Sequence, residues 1–172
     1  MGYWTKYESP LGMITVASDG ENLTGLWFDG QKYYMGKYQN LEEKDDLDIF
    51  TKTKNWLDEY FAKKNPSLEG IPLKPEGTDF QQKVWKELLK IPYGEVTIYG
   101  KIAETLHIKS GQAIGSAVGR NPISILIPCH RVISKNGSLT GYAGGVEKKV
   151  HLLELEHVNM EKMYVPKKGT AL

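Results

Sequence analysis

The sequence predicts a small α/β domain followed by a mainly helical domain of the winged helix-turn-helix type. Strand-like segments occur in the N-terminal part of the chain, and helical periodicity dominates the second half. Ile71–Gly77, with two prolines and a glycine, is the expected boundary. The expected domains are residues 1–75 and 76–160, followed by a tail of residues 161–172 in which Lys167–Leu172 should be disordered. A length of 172 residues and a hydrophobic content of 40% are sufficient for a folded hydrophobic core.

A small antiparallel sheet and one helix are expected in the first domain. Asp19-Gly20 is a turn signal between the second and third strands. The acidic stretch Asn40–Asp48 separates the strands from a helical pattern that reaches Phe61. The expected strands are Tyr3–Glu8, Met13–Ala17 and Leu23–Phe28. The tryptophans expected in the core of the protein are Trp4, Trp27, Trp56 and Trp85.

Four helices are expected in the second domain. Thr78 and Gln81 have the spacing of a capping box, so the first helix should begin there. Ser110 can cap the third helix. Asn136-Gly137 is a hairpin signal, and a hairpin after a helix-turn-helix resembles a wing. In order, the helices should cover about Phe80–Leu89, Ile98–Leu106, Gly111–Gly119 and Val146–Glu156.

The third of these helices has an unusually small surface. It contains Gly111, Gly115 and Gly119, and each glycine costs up to about 1 kcal/mol of helix stability relative to alanine. Close approach of this helix to another surface would compensate for the cost, as in a helix-turn-helix that reads DNA. Tight packing between helices also favours small residues and is the alternative at this point.

The charge distribution is uneven although the formal net charge is only +1. Residues 105–146 contain no Asp or Glu. Because every carboxylate there would oppose phosphate, this stretch suits a polyanion such as nucleic acid. A chance gap in a glycine-rich segment explains it equally well.

The cysteine count and the hydropathy pattern bound the function classes. A single cysteine excludes an intramolecular disulfide framework and, by itself, a cysteine-rich zinc site. The N-terminus has no apolar leader segment, and no apolar stretch is long enough to cross a membrane. A cytosolic protein that does not bind membranes is therefore expected.

Pro128–Arg131 is the segment that suggests chemistry. A lone cysteine is more often a small buried hydrophobe than a nucleophile. Here the adjacent histidine, the arginine after it and the acid-free surroundings favour the thiolate. Glu154 and Glu156 are candidates to orient a histidine in a Cys–His–acid relay. Because adjacent residues on an extended strand point to opposite faces, Cys129 and His130 need a bend or a bridging water to cooperate, and the preceding proline favours a bend.

Ile127–Val132 resembles the active-site signature of the O6-alkylguanine-DNA alkyltransferases, which are single-use DNA repair methyltransferases. The strong resemblance covers about residues 78–157. The first domain resembles the ribonuclease H-like domain of that family only loosely, chiefly through Ser9–Gly12. Further segments that are similar to the family in order and spacing are Phe80–Trp85, Ile91–Val96, Arg120–Pro122 and Thr140–Gly145.

The resemblance implies a role for each residue of the site. Cys129 would accept the alkyl group, His130 would deprotonate it through a water, and Glu156 would orient the histidine. Tyr99 would help to rotate the target phosphate and would assist the departing base. The residues implied for the base pocket are Asn121, which also braces the reader helix, Val132, Tyr142, Ala143 and Gly144. The residues implied for DNA binding are Lys109, Ser110, Gln112, Ala113, Gly115, Ser116 and Arg120.

The implied reaction fits the chemistry of a thiolate. The alkyl group on a guanine oxygen is a saturated carbon, which a soft nucleophile can displace. The thioether product has no carbonyl for water to attack, so a single turnover is expected. The target base must leave the stack before it can react. The expected partner is duplex DNA with alkylated bases, bound by a monomer without a cofactor or metal.

Gln112 departs from the family pattern, which has an arginine that enters the duplex. Glutamine is uncharged and stacks less well than a guanidinium, so slower or weaker base extrusion is expected. Three alternatives are a protein that recognises alkylated guanine without repairing it, a cysteine hydrolase, and a winged-helix regulator with an inert thiol. The acceptor cysteine argues against the first of these, and the adjacency of Cys129 and His130 argues against the second.

Overall fold

The computed structural model describes residues 2–35, 38 and 40–166. The predicted disorder of Lys167–Leu172 falls outside the described residues. The chain forms two compact units. One unit comprises Met1–Glu76 and Pro122–Leu126, and the other comprises Gly77–Asn121 and Ile127–Leu172.

The first unit is built on a four-stranded sheet. Its strands are β1 (Tyr3–Ser9), β2 (Gly12–Ser18), β3 (Leu23–Phe28) and β4 (Glu42–Glu43), in the order β3-β2-β1-β4. Two antiparallel hairpins join β1 to β2 and β2 to β3, as the sequence predicts. In the turn before β3, the Asp19 side chain accepts hydrogen bonds from the backbone N–H groups of Glu21 and Asn22 at 3.0 and 2.8 Å, and Gly20 has a φ of +112°.

The edge strand β4 has no strand pattern in the sequence, because it consists of two glutamates in an acidic stretch. It pairs in parallel with the start of β1, so the sheet is mixed and not wholly antiparallel as predicted. The backbone N–H groups of Glu42 and Lys44 donate to the carbonyls of Gly2 and Trp4, both at 3.0 Å. Main-chain pairing therefore forms this strand without help from its side chains.

Helix α1 (Asp48–Phe61) buries its apolar face against the sheet. Phe50 and Leu57 are fully buried in that face. The prediction that the tryptophans lie in the core is wrong for Trp4, which is half-buried on β1. It is confirmed for Trp27, Trp56 and Trp85.

Pro122–Leu126 belongs to the first unit because it pairs with β3. The N–H of Leu26 donates to the carbonyl of Pro122 at 2.8 Å, and the N–H of Ser124 donates to the carbonyl of Leu26 at 2.9 Å. Ile123 is fully buried there. This pairing accounts for the burial of the apolar residues that precede the cysteine segment.

The second unit contains four helices and a short two-stranded parallel sheet. They are α2 (Asp79–Leu88), β5 (Thr97–Ile98), α3 (Tyr99–Thr105), α4 (Gly111–Gly119), β6 (Val132–Ile133) and α5 (Val146–Leu155). The predicted capping box is present, because Thr78 Oγ1 accepts from the N–H of Gln81 at 3.1 Å and Gln81 Oε1 accepts from the N–H of Thr78 at 3.0 Å. Trp85 Nε1 donates to the carbonyl of Ala117 at 2.8 Å and ties α2 to α4.

The predicted hairpin at Asn136-Gly137 forms only as a turn. Gly137 has a φ of +91°, and the N–H of Ser134 donates to the carbonyl of Ser138 at 3.1 Å. β6 pairs in parallel with β5, and Ser138 bridges to Tyr164 from the C-terminal segment. Tyr164 accepts from the N–H of Leu139 and donates to the carbonyl of Gly137, both at 3.0 Å. The returning C-terminal segment thus takes the place of the second hairpin arm.

Candidate active site

The cysteine segment forms a buried turn in the second unit. Pro128 precedes a single turn of 3-10 helix at Cys129–Arg131, and its φ of −81° and ψ of 64° redirect the chain. The N–H of Arg131 donates to the carbonyl of Pro128 at 3.0 Å. Asn121 Nδ2 donates to the carbonyl of Ile127 at 2.8 Å and holds the entry to the turn. The bend that the sequence requires between Cys129 and His130 is therefore present.

His130 and Glu156 form a fully buried pair at the centre of the site. His130 Nε2 lies 2.6 Å from Glu156 Oε2, and neither side chain is exposed to solvent. Glu156 follows the last residue of α5, so the end of that helix delivers the carboxylate to the turn. Glu154 is exposed. Of the two acidic candidates, the structure therefore brings only Glu156 to the histidine.

Arg131, which the sequence predicts to favour the Cys129 thiolate, pairs instead with Glu156. Its guanidinium donates to both oxygens of Glu156, from Nε at 2.8 Å and from Nη2 at 3.2 Å. Its Nη1 donates to the carbonyl of Ile91 at 2.7 Å, and its cationic carbon lies 5.8 Å from the centre of the Tyr93 ring. The N–H of Gly94 also donates to Glu156 Oε1 at 3.2 Å. The segment between α2 and β5 thus encloses the arginine and the carboxylate together.

These contacts determine the charge of the relay. Burial tends to raise the pKa of Glu156, but the hydrogen bonds and charges of His130 and Arg131 outweigh it and lower that pKa to about 2. Burial lowers the pKa of His130 and outweighs the opposing effect of Glu156. At neutral pH the pair is therefore a carboxylate and a neutral imidazole. Because an ionised carboxylate only accepts, the imidazole proton lies on Nε2, and the lone pair lies on Nδ1.

His130 Nδ1 is buried and has no hydrogen-bond partner within the described part of the chain. A neutral imidazole nitrogen in that state is suited to accept a proton. Tyr142 packs edge-to-face on the His130 ring with the two centroids 6.4 Å apart. The base is thus oriented by Glu156 on one side and packed by an aromatic ring on the other.

Burial opposes the ionisation of the Cys129 thiol, whereas neighbouring hydrogen-bond donors and a nearby charge favour it. Burial raises the pKa of the Cys129 thiol, whereas the Asn121 side chain, the Lys149 charge and the backbone N–H groups of Cys129 and His130 lower it. The rise prevails, so the resting group is a thiol that needs a base. The donors around the sulfur stabilise the thiolate once it has formed.

Lys149 is a residue that sequence reasoning misses. It is fully buried on α5, and its Nζ donates to the carbonyls of Val132 at 2.6 Å and Thr140 at 3.1 Å. A signal was available, because Lys149 follows Val146 by three residues and precedes Leu153 by four, on the apolar face of the helix. A lysine at such a position indicates a buried cation.

Tyr99 is the first residue of α3 and is half-buried. Its hydroxyl donates to the carbonyl of Thr140 at 3.5 Å. Burial, followed by the charge of Cys129, raises the pKa of Tyr99 to about 12, so the hydroxyl stays protonated at physiological pH. Ala143 and Gly144 are half-buried in the same loop as Thr140.

Most of the residues predicted to bind DNA are exposed on or beside α4. Ser110 caps the helix, because its Oγ accepts from the N–H of Ala113 at 3.1 Å. Ala113 is half-buried, and the atoms of Gly115 are buried, but a Cβ added at Gly115 would point into open space. The exposed members of the set are Lys109, Ser110, Gln112, Ser116 and Arg120.

The glycines of α4 do not serve tight packing within the chain at two of three positions. A Cβ added at Gly111 or Gly115 would meet no heavy atom within 4 Å beyond the backbone of the helix itself. The alternative of close packing between helices therefore does not explain these two residues. Their cost in helix stability favours the approach of an external surface.

The described part of the chain offers neither a metal centre nor a membrane-spanning helix. Among its residues, no group of three or more His, Cys, Asp or Glu side chains could hold a metal ion. Within the same residues, no helix has the length and apolar character needed to cross a membrane.

Known proteins resemble this chain over nearly its whole length. The family model of the 6-O-methylguanine DNA methyltransferase ribonuclease-like domain matches residues 2–75, and that of the DNA binding domain matches residues 79–158. The methylated-DNA–protein-cysteine methyltransferase of Haemophilus influenzae is 43% identical over 157 residues, which cover 91% of this chain and 87% of that protein. The constitutive enzyme of that name from Bacillus subtilis is 40% identical, and the alignment covers 94% of this chain and 99% of that protein.

A solved structure agrees with these matches. The crystal structure of Mycobacterium tuberculosis OGT in complex with DNA has a TM-score of 0.82 to this chain at 41% identity. The alignment covers 90% of this chain and 92% of that one. Family models, relatives and fold lead to one conclusion: the chain belongs to the methylated-DNA–protein-cysteine methyltransferase family.

Proposed function

We propose that this protein repairs DNA by transferring the alkyl group of an O6-alkylguanine in duplex DNA irreversibly to Sγ of Cys129. The observation that carries the proposal is the buried relay next to Cys129. In this relay Glu156 fixes the His130 ring, and His130 Nε2 lies 2.6 Å from Glu156 Oε2. Family membership supports the reaction class. The relay supports the assignment of Cys129 as acceptor.

The first step is deprotonation of the thiol. A water accepts the proton of Cys129 and passes its own to His130 Nδ1, while Nε2–H keeps its hydrogen bond to Glu156. The ionised Glu156 stabilises the imidazolium that forms. Asn121 and the backbone N–H groups of the turn stabilise the thiolate, in line with their lowering of the Cys129 pKa.

The second step is displacement at the alkyl carbon. The sulfur forms a bond to that carbon, the bond from the carbon to the guanine oxygen breaks, and its electron pair leaves with the base. Tyr99, which stays protonated because of its raised pKa, can donate a hydrogen bond to the oxygen as charge develops there. The base departs as guanine after taking up one proton, which balances the proton that the thiol gave up to His130. The thioether cannot be hydrolysed, so each chain acts once.

Binding must bring the alkylated base into reach of the buried sulfur. Unstacking one nucleotide costs a few kcal/mol, which contacts to the distorted duplex must offset. The small surface of α4 suits close contact with DNA, and Lys109 and Arg120, which are exposed before and after α4, would contact phosphates. Gln112 is exposed near the start of α4, where it can fill the space that the base leaves. Tyr142, Ala143 and Gly144 would line the pocket for the extruded base, with the Val132 carbonyl as an acceptor.

The test is the intact mass of the protein after incubation with duplex DNA that contains one O6-methylguanine. We expect a gain of one methyl group per chain that saturates at one, and no gain in Cys129→Ser or with unmodified duplex. No gain combined with selective binding of the lesion would instead identify a damage-recognition protein. Continued release of product beyond one equivalent would contradict the single turnover. A cytosolic location and a monomeric state stay predictions.

A further inference from the structure

Lys149 is the buried charged group that the reaction above does not use. Its side chain is fully buried, yet in the described part of the chain its Nζ has only the carbonyls of Val132 and Thr140 as hydrogen-bond acceptors and no carboxylate partner. Removing an ammonium from water is costly unless an opposite charge compensates it. Burial accordingly lowers the pKa of Lys149 to about 8. A fixed cation without a carboxylate suggests that its counter-charge is one that appears during function.

The groups that face Lys149 come from two other elements. Cys129 and His130 lie on the 3-10 turn, where the Lys149 charge lowers the pKa of each, and Tyr99 on α3 shares the Thr140 carbonyl with Lys149. The carboxylate of Glu156 is engaged by Arg131 and His130. The Cys129 sulfur is therefore the group in this set that can supply an uncompensated negative charge. The influence is mutual, because the lysine charge lowers the pKa of the thiol and the thiolate raises the pKa of the lysine.

We propose that Lys149 is the counter-cation of the Cys129 thiolate. It is a positioning residue that two main-chain carbonyls hold in place, and its positive charge stabilises the nucleophile. When the sulfur is alkylated, Lys149 loses its counter-charge. The first half of this proposal concerns the unreacted protein alone. The second half rests on the proposed function, since it requires the thioether.

The carbonyl contacts explain how the charge is held in place. Val132 follows the turn that carries Cys129, and Thr140 belongs to the loop that leads to Tyr142. By donating to both, Nζ links the loop to the turn and keeps a fixed position between them. The same charge also lowers the pKa of His130. Lys149 therefore favours the neutral imidazole, which is the form that can accept the thiol proton.

Alkylation changes the charge balance of this pair. Once the thiol has lost its proton, the thiolate carries one negative charge and Lys149 one positive charge. In the displacement the electron pair leaves with the guanine, and the sulfur becomes a neutral thioether. Lys149 is then a buried cation without a counter-charge, so its affinity for the proton must fall and the proton can pass to solvent.

The first test titrates the thiol in the absence of DNA. Because the chain has one cysteine, the thiolate signal is the ultraviolet absorbance difference between each variant and the same variant with Cys129→Ser. Lys149→Gln keeps N–H donors for the carbonyls but removes the charge, and Lys149→Met removes both. We expect the pKa of the thiol to rise by about one to three units in both variants. Lys86→Met, which removes an exposed cation from α2, should leave it unchanged.

An unchanged thiol pKa in Lys149→Gln would overturn the proposal, because the lysine would then serve only as a hydrogen-bonded support. Lys149→Arg, which restores a cation, should bring the thiol pKa back toward that of the unaltered protein. A purely structural role would predict no such rescue by charge.

The second test needs no substitution in the measured protein. The Lys149 side chain is titrated by NMR with carbon-labelled lysine, before and after stoichiometric methylation that intact mass verifies, and Lys149→Met assigns its signal. We expect the pKa of Lys149 to fall by about one unit or more on methylation. An equal pKa in both forms would overturn the loss of the counter-charge. If no methylation occurs, the proposed function fails, and the thiol titration still decides the role of the lysine.

Discussion

His130 Nε2 lies 2.6 Å from Glu156 Oε2, and both side chains are fully shielded from solvent. The contact does more than orient the ring, because the ionised carboxylate can only accept and so fixes the imidazole proton on Nε2. Nδ1 is thereby left as the basic atom. The same carboxylate accepts two hydrogen bonds from Arg131, which keep it ionised. The basicity of His130 Nδ1 thus depends on the negative charge of Glu156, which Arg131 maintains.

Replacing Glu156 with Gln should slow methyl transfer on the order of 100-fold. The amide has nearly the same size, but it can also donate to Nε2 and so permits the tautomer in which Nδ1 carries the proton. The measurement is the single-turnover rate of methyl transfer from a duplex with one O6-methylguanine. Glu154→Gln, an exposed change on the same helix, is the matched control. Equal rates in the two variants would show that the charge of Glu156 has no part in the reaction.

The acid stability of the protein should depend on Glu156. Its pKa is about 2 in the folded protein against an ordinary value of 4.5, so its contribution to stability is present above pH 4.5 and is lost as the pH falls toward 2. The difference amounts to roughly 3 kcal/mol. Urea unfolding at a series of pH values should show the advantage of the unaltered protein over Glu156→Gln shrinking across this window. A constant advantage between pH 5 and pH 2 would contradict the folded-state pKa.

The predicted elements that formed are those with a local cause. The Asp19-Gly20 turn depends on a side chain that accepts from the backbone two and three residues later, and the capping box joins Thr78 to Gln81. β4 could not be predicted, because its two glutamates gain strand geometry only by pairing with β1 some forty residues away. The second arm at Asn136-Gly137 failed for a similar reason, since a bridge from Tyr164 replaced it.

The site shows the same division between local and distant causes. The sequence could indicate Cys129, His130 and a bend at Pro128 because they are neighbours. The choice of Glu156 over Glu154 came from the resemblance, and the helix end explains it physically. Arg131 joins a carbonyl forty residues before it to a carboxylate twenty-five residues after it. No spacing rule connects positions so far apart.

Replacing Gly115 with Ala should stabilise the free protein and weaken its binding to duplex DNA. Beyond the neighbouring residues and the backbone of α4 itself, the added methyl group meets no heavy atom of the described residues within 4 Å, so the helix gains up to about 1 kcal/mol. If α4 lies against DNA, the same methyl group separates the two surfaces. Urea unfolding and duplex affinity at one fixed salt concentration provide the two readouts. A gain in stability with unchanged affinity for duplex DNA would show that the small surface of α4 is not part of the interface.

Replacing Gln112 with Arg should raise the rate of methyl transfer from duplex DNA several-fold. Gln112 is exposed on α4, and a guanidinium offers both a charge and a larger stacking surface to the space that the flipped base leaves. A single-stranded oligonucleotide with the same lesion has no such space, so its rate should stay the same. Asn55→Arg adds an equal charge at an exposed position of α1 and controls for a general gain in DNA affinity. Acceleration confined to the duplex and to Gln112→Arg would assign base extrusion to this position. Equal acceleration on both substrates, or none on the duplex, would show that another residue occupies the vacated stack.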